Sequence, residues 1–134
     1  VCLSNDKDSI ALSVNEHQQG HAAWLHQAID EMIKKSGHTI KNLEAISVSI
    51  GPGSYTGLRV GLSSAKGLCY SMSIPLIAIT TTELMASAVT NEAEDLICPV
   101  IDARRMEVYS AVYDKILNEI KTPHSMIVKE TNFA

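Results

Sequence analysis

The sequence predicts an α/β fold, a mixed sheet flanked by helices, and three observations carry that prediction. Short β-branched runs alternate with segments of helical period; a hairpin lies near each end; and a central strand runs straight through a glycine-proline turn into a long helix. At 134 residues, 46% hydrophobic and 19% charged, the chain is about one domain's worth of sequence and can own one core.

The elements follow in order. VCLSNDKDSIALSV places short apolar runs on either side of the turn formers at 5–8 and reads as a β-hairpin whose first strand looks clipped. Over residues 21–36, Ala22, Leu25, Ile29, Met32 and Ile33 recur at helical spacing, and Gly37 supplies the stop. Residues 45–50 (AISVSI) form a strand that enters Gly51-Pro52-Gly53; from about Thr56 a second helix sets Leu58, Leu62, Ala65 and Cys69 on one core stripe. Pro75 precedes another strand, LIAIT, and Thr80 with Glu83 matches a capping box ahead of LMASAV, a third helix. Residues 96–102 and 106–113 are two strands joined at Ala103-Arg104-Arg105, and after a break at Pro123 a final strand is expected at 125–129.

Composition excludes several classes. A net charge of −4 provides no basic field to hold nucleic acid by phosphate neutralisation, so an RNA role needs a partner that brings the RNA. Cys2, Cys69 and Cys98 lie far apart with no CxxC pair, which argues against a disulfide framework or a zinc knuckle and for a reducing, cytoplasmic setting. No run approaches the roughly 18 apolar residues of a membrane span, and the first residues lack the order of a signal peptide.

The stretch SIGPGSYTGLRVGLSSAKGL holds five of the seven glycines and invites a nucleotide reading. Both templates fail. Gly51-x-Gly53-x-x-x-Gly57 is one residue too long for the dinucleotide fingerprint, and Lys66-Gly67 reverses the phosphate-loop order inside a helical pattern. A turn explains more: Gly51 and Gly53 permit it, Pro52 stiffens it, and Ser54 or Thr56 caps the helix. Within that helix Gly57, Gly61 and Ser64 share one face. An interior glycine costs about 1 kcal/mol against alanine, so two on one face ask for the close approach of a second backbone. That backbone belongs to the same fold, to another copy or to a different protein; the residues alone leave the three open.

The first helix repeats the idea with Trp24 and Ala28 beside its core stripe, tryptophan being either half-buried core or an interface anchor. Arg59, read in the first turn of the second helix, opposes the helix dipole, which suits either an external anion or a solvated arginine whose stem covers apolar surface. His17, His21 and His26 crowd ten residues, yet Gly20 puts the helix start between His17 and His21, and no Glu or Cys completes a metal site. Asp102 and Glu83 are the tempting acids, and the capping box already accounts for Glu83. No nucleophile–base pair is legible.

GPGSYTGLRVGLSSAKGL, then IPLIAITTTELMA, then IDARRMEVYSAVYD, in that order over about half the chain, closely resemble the TsaB (YeaZ-like) family; QGHAAWLHQAIDEMI and the opening hairpin match more weakly. The resemblance implies an actin-like ATPase (sugar kinase/heat-shock type) fold, with residues 1–134 as its N-terminal lobe. It further implies a fragment lacking the family's first strand, which ends in an acidic and a hydroxyl residue, and its second lobe. It implies a catalytically degenerate subunit that pairs with TsaD, the transferase of tRNA threonylcarbamoyladenosine synthesis, joined by TsaE, a small ATPase. On that reading Trp24, Ala28, Gly57, Arg59, Gly61 and Ser64 form the partner interface, with a homodimer through the faces of helices 21–36 and 57–71 as its counterpart. Gly51, Pro52, Gly53, Ser54 and Thr56 shape the turn and helix start. No catalytic or metal residue and no cofactor fall to this chain alone; ATP or ADP and a metal belong to the assembled complex, and tRNA is reached through it. The rival reading is a small-molecule kinase or peptidase-like enzyme of the same fold.

Overall fold

The computed structural model describes residues 1–15 and 20–129, so the pairing of His17 with His21 lies outside the described residues. The chain divides into two compact units, one comprising Val1–Val48 and Arg59–Ile77, the other Ser49–Leu58 and Ala78–Ala134.

In the first unit β1 (Cys2–Asn5) and β2 (Asp8–Leu12) pair antiparallel as the expected hairpin, with Asp6 at φ 51 in the turn and Leu3 buried. Helix α1 (His21–Lys35) starts at Gly20, whose carbonyl accepts the Trp24 N–H at 3.0 Å, and ends at Ser36 before Gly37 at φ 74. Its last turn sets Lys34 and Lys35 against Asp30 and Glu31 one turn back, at 2.6 and 3.1 Å, with cations at the negative end of the helix dipole.

The buried face of α1 is Ala28, Met32 and Ile33, flanked by half-buried Leu25 and Ile29, whereas Ala22 is exposed. At 6% exposure Ala28 is buried and belongs to the core stripe, not to a face beside it. Its position one turn before Met32 puts it there, and its small side chain lets neighbouring groups close over the helix.

A short 3-10 turn (Ile40–Asn42), unanticipated from the sequence, follows; Asn42 Oδ1 accepts from both the Thr39 N–H and hydroxyl at 2.8 Å. The T-x-x-N spacing was its only signal. Strands β3 (Ile46–Ser49) and β4 (Leu76–Ile79) pair, and the bonds from Ile46 N–H to Pro75 O and from Ile50 N–H to Ile79 O advance together along both, so the pair is parallel. Helix α2 (Tyr55–Met72) connects them, burying Ala65 and Cys69 as the stripe required, with Leu58 and Leu62 half-buried. It stops at Ser73, φ 57, where Ile74 N–H returns to Cys69 O.

In the second unit α3 (Thr81–Ser87) is capped by Thr80, whose Oγ1 accepts the Glu83 N–H at 3.1 Å. It is shorter than LMASAV suggests, giving way to a turn in which Val89 N–H bonds Ala86 O. The rest is an antiparallel sheet of β5 (Leu96–Ile97), β6 (Val100–Arg104), β7 (Glu107–Asp114) and β8 (Glu119–Ile127). The single strand expected at 96–102 is interrupted at Cys98-Pro99, because proline has no N–H to give the ladder. The register nevertheless carries through, with Ile97 opposite Tyr113 and Val100 opposite Ser110.

The last strand also differs from expectation. It runs through Pro123 from Glu119, because the pairing slips between Ser110↔His124 and Val112↔Lys121, leaving Thr122 and Pro123 opposite Ala111 alone; a bulge accommodates the proline. The unit closes around Ala86, Ile97, Ala111 and Tyr113, and the Tyr113 hydroxyl meets Thr82 at 3.0 Å and Thr80 at 3.3 Å.

The α/β class stands; among the described residues the strands form a hairpin, a parallel pair and an antiparallel sheet. Tight turns join β1 to β2, β6 to β7 and β7 to β8, and α2 is the crossover of the parallel pair.

Candidate interaction surface

The turn before α2 is built on glycine geometry. Gly51 is buried at φ 107, its carbonyl takes the Thr81 N–H at 2.8 Å, and a β-carbon there would stand 3.0 Å from Leu58 Cδ1. Gly53 follows at φ 155, and the Gly51–Pro52 bond is cis. Ser54 is the cap, its carbonyl accepting the Leu58 N–H at 2.8 Å and its Oγ the Gly57 N–H at 3.4 Å. Thr56 stands in the first helical turn, exposed. The Gly57 and Leu58 amides are thus both taken by Ser54, and Lys66 is exposed in the middle of α2.

Among the described residues, no backbone outside α2 comes within 4 Å of a β-carbon built at Gly57 or Gly61. A β-carbon at Gly57 would be 3.4 Å from Ser54 Oγ, and one at Gly61 would find Val48 Cγ2 at 3.8 Å, ordinary van der Waals separation. Gly57 and Arg59 are exposed; Gly61 and Ser64 are half-buried. The dipole argument for Arg59 is corrected by the helix start: with Tyr55 opening α2, Arg59 lies beyond the first turn, where the field has fallen off.

Ser64 is engaged within the first unit, its Oγ 3.2 Å from His26 Nε2 on α1, a contact that sequence reading missed because it saw His26 only as a member of a histidine cluster. Trp24, on the same helix, is half-buried. His26 also borders an open groove of about 370 Å³ with Ile29, Ile33, His38, Ile40 and Leu68.

The Ser64–His26 contact is the nucleophile–base pair that the peptidase reading requires, and its surroundings do not serve that chemistry. Ser64 sits in the middle of α2, where neighbouring amides are spent on helical bonds, and Asp30, one turn from His26, is held by Lys34. Among the described residues no cluster of three or more His, Cys, Asp or Glu side chains can hold a metal. Asp102 is exposed and accepts the Arg104 N–H. Among the described residues Asp114 alone is clearly perturbed: lost hydration pushes its pKa up, but bonds from the Asn118 side chain and from the Asn118 and Ile116 amides outweigh it and hold it below the usual 3.8. That role is structural, closing the β7–β8 turn.

Comparison with known proteins decides what this architecture belongs to. Residues 14–131 match the family model described as TsaD: tRNA N6-adenosine threonylcarbamoyltransferase. Over 113 residues the chain is 33% identical to the tRNA threonylcarbamoyladenosine biosynthesis protein TsaB of Bacillus subtilis (strain 168), covering 84% of this chain and 49% of that protein. Against the Escherichia coli (strain K12) protein of the same name it is 31% identical, covering 90% of this chain and 52% of the other. The chain belongs to the TsaB (YeaZ-like) family.

The TsaB-type sequence superposes on YeaZ from Pseudomonas aeruginosa with a TM-score of 0.72 at 23% identity, over 83% of this chain and 54% of that one, a likeness of fold. The fold is accordingly that of the actin-like ATPases, as the resemblance implied. The chain spans about half the length of the TsaB relatives it matches. Among the described residues no helix is long and apolar enough to cross a membrane.

Proposed function

We propose that this protein is the non-catalytic partner subunit of a TsaD-type transferase in the synthesis of threonylcarbamoyladenosine in tRNA. One observation carries the reading beyond the family name. The glycine face of α2 asks for the close approach of another backbone, and among the described residues the nearest atom outside the helix to a β-carbon at Gly61 is a valine methyl carbon at 3.8 Å. A facing helix of a partner supplies what is missing, with exposed Gly57 and half-buried Gly61, Ser64 and Trp24 as the surface it meets. Arg59 stands about 160° round α2 from Gly61 and lies outside that face.

The same reading assigns the chain to the N-terminal lobe of the actin-like fold and the protein to the cytoplasm. It makes a homodimer through the same helices the alternative use of that surface, and adds a TsaE-type ATPase and a bound nucleotide only in the assembled complex. Reconstituted threonylcarbamoyl transfer to tRNA, with the transferase subunit and with or without this protein, tests it. Transfer that depends on the protein is expected; transfer equally fast without it contradicts the role.

A further inference from the structure

The β6–β7 turn carries side chains that its backbone does not favour. Arg104, Arg105 and Met106 stand in succession at φ 70, 55 and 61, the left-handed region in which a β-carbon is crowded and glycine or asparagine is usual. The turn is fixed from both sides: Asp102 Oδ1 accepts the Arg104 N–H at 2.7 Å, and the Met106 carbonyl accepts the Val128 N–H at 2.7 Å. All three side chains are exposed, Met106 by 68%, and among the described residues neither guanidinium has an ion-pair partner, the salt bridges being those of Lys34 and Lys35. Glycine would form such a turn with less strain, so nothing within the chain accounts for the arginines.

We propose that the Arg104-Arg105 turn is a contact for the phosphate backbone of RNA, which rests on the proposed function, since the assembly is where tRNA is met. A polyanion fits better than a carboxylate of a protein partner. Successive residues of a left-handed run turn by about 100°, as in the right-handed mirror image, so the two guanidiniums fan apart toward separate phosphates and do not converge on one acceptor. With a net charge of −4 the chain has no broad field for RNA, and a rigid tip of unpaired arginines is the kind of local contact left to it.

The test uses the full-length protein alone and assembled with the transferase subunit, and co-elution is checked first; failure to pair contradicts the proposed function before any RNA is added. Binding of tRNA is then followed by fluorescence anisotropy across a salt series for the wild type, Arg104→Gly/Arg105→Gly and Arg104→Lys/Arg105→Lys. The glycine variant is expected to bind about tenfold more weakly at low salt, with a salt slope smaller by about one to two, equally for unrelated tRNAs, while its thermal midpoint holds or rises. The lysine variant keeps the slope. Unchanged affinity and slope in the glycine variant overturn the proposal, and so does loss of pairing with the transferase subunit, which would make the turn a protein contact.

Discussion

Gly61→Ala separates the internal from the external use of the α2 face. Among the described residues the added methyl meets only Val48 Cγ2 at 3.8 Å, so it is accommodated there and the helix gains about 1 kcal/mol of propensity. In a chain of this size that gain raises the thermal midpoint by roughly 4 °C. At a close helix crossing the same methyl holds the facing backbone away. Pairing should weaken measurably with alanine and by tenfold or more with Gly61→Leu, about 1.4 kcal/mol per decade. Gly67→Ala is the control: it is helical, has no atom within 4 Å of its added carbon, and lies about 120° round the helix from Gly61. It should stabilise without touching pairing. Thermal denaturation and titration calorimetry against the partner read the two effects apart. A lowered midpoint in Gly61→Ala, or pairing unchanged in both Gly61 variants, would refute the face assignment.

Three further outcomes are expected. Tyr113→Phe leaves the buried Thr82 hydroxyl without its 3.0 Å partner and should cost about 1–2 kcal/mol in urea denaturation; no change would mean that the hydroxyl cluster contributes nothing. Asp114, its pKa held below 3.8 in the folded state, stabilises the fold above that value, and this part of the stability is lost as pH falls through the lower folded pKa; Asp114→Asn should flatten the acid limb of a stability–pH curve. The protein by itself should neither turn over ATP above a no-protein blank nor modify tRNA, and turnover abolished by changing Lys66 or Asp102 would contradict that.

How far the sequence led can be judged element by element. Period and punctuation located the opening hairpin, α1, α2 and the separate strands β3 and β4, since each is a local pattern bounded by glycine, proline or a cap. Pro123 misled because a bulge depends on the partner strand, which the proline's own neighbours do not reveal. Ala28 misled for a related reason: an alanine beside an apolar stripe is read as surface until a neighbouring element closes over it. For the candidate surface, spacing put Gly57, Gly61 and Ser64 on one face. The Ser64–His26 contact, joining residues far apart in the chain, had no local signature.

The central claim is that the α2 face of this protein pairs with a TsaD-type subunit, and a direct titration of the two purified proteins tests it. A saturable complex of fixed stoichiometry, weakened by Gly61→Leu while the variant remains folded, is the predicted result. No complex at concentrations far above those of the cell, or one indifferent to the substitution, would contradict it.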